Sequence, residues 1–438
     1  MKYLEGFLHV HFIGILGSSL SSLAIICSSQ VPLVTGSDIS YNYRYEYLTK
    51  RGIRVCIGAD ISVLDDVDLV VYTGAIPLDD EELSFAKSKG ILCVERSVFL
   101  ANLSRDYRQV IAVAGTHGKS TVSGMLSEIF MDAGLSPTCH LGAELTSLGV
   151  GGVAGGYDYF ITEACEYKHS LLTLKPQVAI VLNVDFDHPD CYESIDSVKQ
   201  TFLAFANSVI DGGFCVFGET CLVDKNSITV GKDIFADEVR NVNGRYVFTP
   251  VLNGVRGDEI SLKVYGKHNV ANALVSYAVA VRLGVDASSV STTLSKYRGI
   301  LRRFEYLPTT SGTKVVSDYA HHPCEIKAVL ATARQVTTSK IVAVFQPHTY
   351  SRTLQLYDEF LGCFDMADEV VIVEEYPARE SPTDGLSAYQ LYTGLVSRLK
   401  KVTYLPMAHI CEDIVAHVDK DSFVLLLGAG DMPLKVKL

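Results

Sequence analysis

Residues 109–126 read QVIAVAGTHGKSTVSGML, and how this stretch is read decides the fold. Residues 110–114 are a short apolar run of strand length. Beyond the turn, Val122, Met125, Leu126, Ile129 and Phe130 recur at helical spacing, which marks a helix with one buried face. The turn itself holds Gly115, Thr116, His117, Gly118, Lys119, Ser120 and Thr121. A strand that bends through glycines into a helix start offers backbone N–H groups to an anion. A lysine adds a point charge, and the next hydroxyl can hold Mg2+. The stretch therefore predicts an ATP phosphate loop. Its match to the general G-x-x-x-x-G-K-S/T spacing is partial, because Val113 stands where the first glycine belongs. The competing reading is a plain glycine turn with an exposed lysine.

On either side, strand-like runs alternate with helical patterns almost throughout, which predicts α/β layers with largely parallel sheets. A chain of 438 residues is also too long for one ordinary core. Three units are expected. The first, residues 1–106, has strands in LHVHFIGILG, PLVTGSD, DLVVYTGAI and ILCVERSVFLANL, with SSLSSLAIICSSQ as a helix. The second, 107–304, runs from the phosphate turn through DYFITEACE, QVAIVLNVDFDHPD and a patch of short strands to the helix NVANALVSYAVAVRLG, which Gly284 can cap. The third, 305–438, carries GTKVVSDYAHHP, KIVAVFQPH, EVVIVEEYP and FVLLLGAGD. Each of these motifs falls at the carboxyl end of a strand, where open α/β sheets gather ligands.

Composition excludes several functions. The longest apolar runs fall well short of the roughly 20 residues that cross a bilayer, so no membrane insertion is expected, and no signal peptide is evident. Net charge is −12, from 38 basic and 50 acidic residues without a basic run, which argues against nucleic acid as a partner. Eleven scattered cysteines with no Cys-x-x-Cys pair point to reduced thiols and a cytoplasmic protein.

Two further sites are candidates. Glu163 follows an apolar strand and can supply a carboxylate to a metal ion, while Asp185, Asp187, His188 and Asp190 crowd the next strand end. That cluster reads equally as a second metal site or as a solvated acidic loop. At the N-terminus, Gly14 and Gly17 open a nucleotide-type turn, but Leu16 and Ser19 break the G-x-G-x-x-G fingerprint expected for NAD. Ser18 and Ser19 near the helix start can still bond a diphosphate, and Asp38 falls where a ribose-binding acid would sit. A packed turn without a ligand is the alternative.

GTHGKST, EACEYKHSLLTLKPQVAIVLNVDFDHPD, YGKHNVANAL, RRFEYL, SDYAHHPCEI, VFQPHTYSRT, EEYPARE and the closing GAGD follow one another in order from about residue 8 to 431. Together they resemble the Mur ligases of peptidoglycan synthesis. The resemblance implies a Rossmann-like UDP-sugar domain, a P-loop-type central ATPase and a Rossmann-like C-terminal α/β domain. It further implies UDP-N-acetylmuramate and L-alanine as substrates, ATP as cosubstrate and two Mg2+ ions, with Mn2+ as the alternative. Residue by residue, it places Gly115 to Thr121 around the phosphates, with Lys119 on the β- and γ-oxygens. Ser120 and Glu163 would hold one metal ion, and His188 would lie at the second. His268, Asn269 and Asn272 would contact adenine, while Arg303 and Asp318 would reach the nucleotide from the interdomain side. His321, His348, Tyr350 and Arg352 would face the amino acid, and Gly14, Gly17, Ser18, Ser19 and Asp38 the UDP-sugar. Thr349 departs from the arginine frequent in the family, and Ala59 from a histidine. Another carboxylate–amine ligase on this scaffold and a nucleotide sensor without turnover are the rival functions.

Overall fold

Four sheets carry the chain in the computed structural model, which describes residues 2–188, 191–218, 227–309, 312–378, 380–382, 385–399, 401–410, 414 and 418–436. Asp190 of the acidic cluster lies outside the described residues. The first sheet comprises β1 (His9–Ile13), β2 (Leu33–Asp38), β3 (Arg54–Ile57), β4 (Leu69–Tyr72) and β5 (Leu92–Glu95) in the order β3-β2-β1-β4-β5. All its pairings are parallel. β3 is the strand that sequence patterning does not reveal: its residues are exposed or half-buried, so no apolar alternation marks it.

The second sheet comprises β6 (Gln109–Ala114), β7 (Thr138–Leu145), β8 (Val150–Val153), β9 (Tyr159–Glu163), β10 (Val178–Val181), β11 (Phe214–Phe217) and β12 (Ser227–Thr229). Their order is β12-β11-β10-β6-β9-β7-β8, parallel except for the β7–β8 hairpin. The central strand β6 feeds the phosphate turn and then helix Lys119–Asp132. Its residues alternate between two cores. Val110, Ala112 and Ala114 face one, and Ile111 and Val113 face the other, as a strand buried on both sides requires. The patch of short strands forms a separate antiparallel sheet of β13 (Ile234–Val242), β14 (Arg245–Leu252), β15 (Val255–Arg256) and β16 (Ile260–Tyr265). Helix His268–Arg282 follows, and Gly284 ends it at φ +91°, with its N–H on Val281 O at 3.0 Å.

The last sheet holds β17 (Glu305–Leu307), β18 (Lys314–Asp318), β19 (Ile341–Phe345), β20 (Glu369–Val373), β21 (Val402–Leu405) and β22 (Phe423–Leu427), ordered β17-β18-β22-β19-β20-β21. Only β17 runs antiparallel in it.

The apolar interior joins these units unequally. One cluster runs from Phe12, Leu23 and Phe99 of the first unit without a break into Ala112, Phe160, Ala179 and Phe202 of the second. The third unit has cores of its own on the two faces of its sheet, around Phe345 and Leu425 and around Val344 and Leu426. Helix Ser18–Ser28 lies hard against the β7–β8 hairpin. Ser22 Oγ donates to Gly151 O at 3.0 Å, and a Cβ on Gly152 would stand 2.5 Å from Ser22 O. Only glycine permits that approach. Arg44 Nε donates to Glu144 Oε1 at 2.7 Å across the same junction.

Candidate active site

The phosphate turn is built by β6, the end of β10 and the start of helix Lys119–Asp132. Gly115 sits at φ +134°, and a Cβ there would meet Leu182 Cβ at 2.9 Å and Leu182 N at 3.0 Å. Asn183 grips the turn from the neighbouring strand end. Its Oδ1 accepts the His117 N–H at 2.8 Å and its Nδ2 donates to His117 O at 3.0 Å. Thr116 Oγ1 accepts the Asp185 N–H at 2.9 Å. Gly118 is the left-handed residue before the helix, at φ +86°, and no side chain caps the helix start. The first-turn N–H groups at Lys119, Ser120 and Thr121 thus form the open end of a dipole that favours an anion.

Lys119 Nζ donates to Gly115 O at 2.6 Å, to Thr116 O at 3.1 Å and to both oxygens of Glu166 at 3.0 Å. Burial alone would lower the lysine's pKa, but the Glu166 charge outweighs it and raises the value. The ammonium is therefore fixed and fully charged at the mouth of the loop.

A cavity of about 320 Å³ opens beside this loop, between the second and third units. His117, Gly118 and Thr121 line it from the loop, His268, Asn269 and Asn272 from the helix, Arg303 from the end of the second unit and Asp318 from the third. The two asparagines are held in series: Asn272 Nδ2 donates to Asn269 Oδ1 at 2.9 Å, and Asn269 Nδ2 to Tyr265 O at 2.7 Å. Burial and the Arg303 charge push His268 down to about 4, so its ring is neutral at pH 7. Asp318 accepts the Phe304 and Ala320 N–H groups at 2.8 Å each, and burial raises it to about 6 against the pull of Arg303.

Glu163 ends β9, where its Oε1 accepts the Gly142 N–H at 2.6 Å. Its charge lies close enough to Lys119 and Arg303 to raise both. His188, at φ +55°, places Nε2 3.7 Å from Glu166 Oε1 and 3.8 Å from Asp187 Oδ2. Hard oxygens on Ser120 and Glu163, next to a phosphate turn, suit a magnesium ion.

Arg352 is buried and already engaged. Its Nε and Nη2 donate to Asp187 Oδ1 at 2.9 and 2.7 Å, and Nη1 donates to His348 Nδ1 at 2.9 Å. Burial would raise the Asp187 pKa, but the Arg352 charge holds it far below the usual carboxylate range. The His321 and His348 rings meet edge to face at 5.5 Å, and His348 stacks on Tyr376. Burial keeps both imidazoles neutral, with His321 at about 4. These three predicted residues come together. Tyr350 does not join them, because its hydroxyl turns to Glu375.

In the first unit, Asp38 Oδ2 accepts the Leu16 N–H at 2.9 Å and so holds the glycine turn. Gly14 adopts φ +85° there, and Gly17 precedes helix Ser18–Ser28 with no side-chain cap. Ser19 Oγ lies 2.9 Å from His140 Nε2 in the central unit, and its hydroxyl is spent on the junction between the two units.

Sequence reading overlooked three partners: Glu166 neutralises Lys119, Asn183 closes the loop, and Glu325 bonds His117 Nδ1 at 3.1 Å and sits 3.6 Å from Arg303 Nη1. Asp187, read as part of an acidic cluster, occupies Arg352. A signal did exist for Glu166, three residues after Glu163 in the same strand-end loop.

Known proteins match this architecture along its length. Residues 9–108 match the model for the Mur ligase family catalytic domain, 113–280 the Mur ligase middle domain, and 302–430 the Mur ligase glutamate ligase domain. The chain is 38% identical over 444 residues to a UDP-N-acetylmuramate–L-alanine ligase of Acetivibrio thermocellus, covering 97% of this chain and 94% of that one. It is 39% identical over 447 residues to a ligase of the same name from Caldanaerobacter subterraneus, at 98% and 96% coverage. The crystal structure of the UDP-N-acetylmuramate–alanine ligase of Thermotoga maritima superposes with a TM-score of 0.82 at 28% identity, covering 98% and 97% of the two chains. A murein peptide ligase of Psychrobacter arcticus shares the fold, with a TM-score of 0.76 at 23% identity and coverage of 97% and 96%.

Proposed function

The chain belongs to the Mur ligase family, and from that premise we infer that it is an ATP-dependent ligase. It joins L-alanine to the lactyl carboxylate of UDP-N-acetylmuramate in peptidoglycan synthesis, releasing ADP and phosphate. We assign the UDP-sugar to residues 1–106, ATP to 107–304 and the amino acid to 305–438. One observation carries the reading: the open helix start at Lys119 and a cavity lined from both the second and third units share a single cleft.

The reaction needs an activated acid. The lactyl carboxylate attacks the γ-phosphate in line, giving an acyl phosphate and ADP. The deprotonated alanine amine then attacks the acyl carbon, phosphate leaves, and the extra N–H proton passes to a base. The first step drives an anion toward a polyanion. Lys119 and the loop N–H groups are placed to offset that repulsion and to stabilise charge on the transferred oxygens. Magnesium, when bound, adds to this charge neutralisation; Ser120 and Glu163 fit one ion and His188 is assigned to a second, with manganese as the substitute. His268, Asn269 and Asn272 are assigned to adenine, and Arg303 and Asp318 to the nucleotide from across the cleft.

We assign the alanine carboxylate to Arg352, with His321 and His348 beside it. Gly14, Gly17, Ser18 and Asp38 are assigned to the UDP-sugar. Acyl phosphates hydrolyse readily, so the cleft must exclude water. Three contacts support closure from the third unit: His117 to Glu325, His322 Nε2 to Phe186 O at 3.2 Å, and Arg352 to Asp187. The cytoplasm is the proposed compartment. No disulfide joins the described cysteines, and no helix among the described residues is long and apolar enough to cross a membrane.

The deciding experiment follows ADP release with UDP-N-acetylmuramate and ATP, adding L-alanine, glycine or L-serine in turn. ADP release that depends on L-alanine is expected. Turnover only with a peptide in place of the amino acid, or only with a folate in place of UDP-N-acetylmuramate, would overturn the assignment.

A further inference from the structure

Resting on the ligase reading, we propose that His321 is the base of the second step: its Nε2 accepts the proton that the alanine nitrogen sheds on bonding to the acyl carbon. The amino-acid position assigned at Arg352 has two imidazoles beside it, His321 and His348, whose rings meet edge to face at 5.5 Å. Hydrogen bonds give these rings opposite tautomers. His321 Nδ1 lies 3.0 Å from Tyr319 O and 3.4 Å from Glu325 Oε2. A carbonyl and an ionised carboxylate only accept, so Nδ1 carries the hydrogen and Nε2 the lone pair. His348 Nδ1 instead accepts a hydrogen from Arg352 Nη1 at 2.9 Å. Arginine only donates, so the hydrogen of His348 sits on Nε2.

Such a pair matches the two ends of an α-amino acid. The Nε2–H of His348 is a donor for the carboxylate alongside Arg352, and the Nε2 lone pair of His321 is an acceptor for the amine. Amine and carboxylate share one carbon, so they meet neighbouring groups together. Among the described residues, neither Nε2 has a hydrogen-bond partner. Other acceptors in the cleft are occupied. Asp187 holds Arg352, Glu166 holds Lys119, Glu325 bonds His117, and Asp318 accepts the Phe304 and Ala320 N–H groups.

On the way to an amide the alanine ammonium loses two protons. The first goes to solvent and leaves the neutral amine. The amine lone pair then forms the C–N bond, and the C–O bond to phosphate breaks with its electrons on the phosphate. The second proton passes from nitrogen to His321 Nε2 and from there to the phosphate, which departs as hydrogen phosphate. Burial lowers His321 to about 4 against the pull of Glu325, so Nε2 is free of a proton when the amine attacks. Once bonded to the acyl carbon, the nitrogen is a far stronger acid than a free ammonium, and a weak base suffices. The Glu325 carboxylate beside Nδ1 steadies the imidazolium while it lasts.

The test compares L-alanine with hydroxylamine as nucleophile, on the full chain with ATP and UDP-N-acetylmuramate. Hydroxylamine converts an acyl phosphate to a hydroxamate and, being weakly basic, sheds its proton to water. His321→Gln should lower kcat with L-alanine by about 10²–10⁴-fold and leave KM for L-alanine nearly unchanged. Its hydroxamate formation should stay near the parental rate, which also shows that the variant folds and makes the acyl phosphate. His348→Gln should instead raise KM for L-alanine. Added imidazole should restore part of the alanine ligation lost in His321→Ala. Hydroxamate formation that falls in step with alanine ligation, a change confined to KM, a parental kcat in His321→Gln, or no rescue by imidazole would overturn the base and leave the ligase reading standing. A parent enzyme with no turnover of L-alanine would remove that reading, and the base with it.

Discussion

Lys119→Ala tests two separable roles of one side chain. Lys119 and Glu166 lie 3.0 Å apart with side chains 17% and 3% exposed. Removing the ammonium takes positive charge from the phosphate position and also strands a buried carboxylate. Breaking a buried pair from one side costs about 3–5 kcal/mol, so the variant should unfold several degrees below the parent. Adding Glu166→Gln removes the stranded charge and should restore most of that stability. It should not restore ligation, because nothing then replaces the lysine at the γ-phosphate. Loss of one such stabilising group typically lowers kcat by about 10²–10³-fold. Calorimetry and ADP release on the parent, both single variants and the double variant complete the cycle. An unfolding temperature unchanged in Lys119→Ala would refute the buried pair. Recovered turnover in the double variant would refute the phosphate role of the loop.

Gly115→Ala forces a side chain into φ +134° and to within 2.9 Å of Leu182 Cβ, a strain of about 1–3 kcal/mol. It should lower kcat/KM for ATP more than tenfold, roughly that strain expressed as a rate, and a variant with parental ATP kinetics would contradict the tight turn. Arg352→Ala should raise KM for L-alanine by roughly 10–150-fold, the worth of a charged hydrogen bond, and KM for ATP far less. Equal effects on both would remove the arginine from the amino-acid site. His117 ties the two units through its folded-state pKa, raised to about 9 from 6.5. Its contribution is complete below pH 6.5 and fades as pH climbs through 9, by at most about 3 kcal/mol. Denaturant unfolding between pH 6 and 9.5 should show that decline, and His117→Asn should flatten it; a parental curve without decline over this window would refute the tie.

The phosphate turn was legible because three independent signals coincide within eighteen residues: an apolar strand, paired glycines and a helical repeat. Their phases match the observed burial of β6 and helix Lys119–Asp132. The cavity residues at 268–272, 303 and 318 came from family resemblance rather than from spacing, since helix propensity says nothing of which face borders a cleft. What stayed hidden is pairing at long range. Arg352 and Asp187 are 165 residues apart, and Lys119 and Glu166 are 47 apart; only the folded topology brings such charges together. Strand β3 was missed because it buries too little to leave a pattern, and the contact of Ser19 with His140 stayed hidden because the two lie in different units.

The unbroken apolar cluster from Phe12 to Phe202 has a mechanical consequence. Prising apart two units that share an oily interior would expose it to water on every cycle, so they form a single anvil. The third unit meets that anvil through polar groups at Glu325, His322 and Arg352 and through a smaller apolar patch where Phe186 and Tyr265 pack against its core. The shared oily interior thus fixes the first two units to each other more firmly than either is fixed to the third.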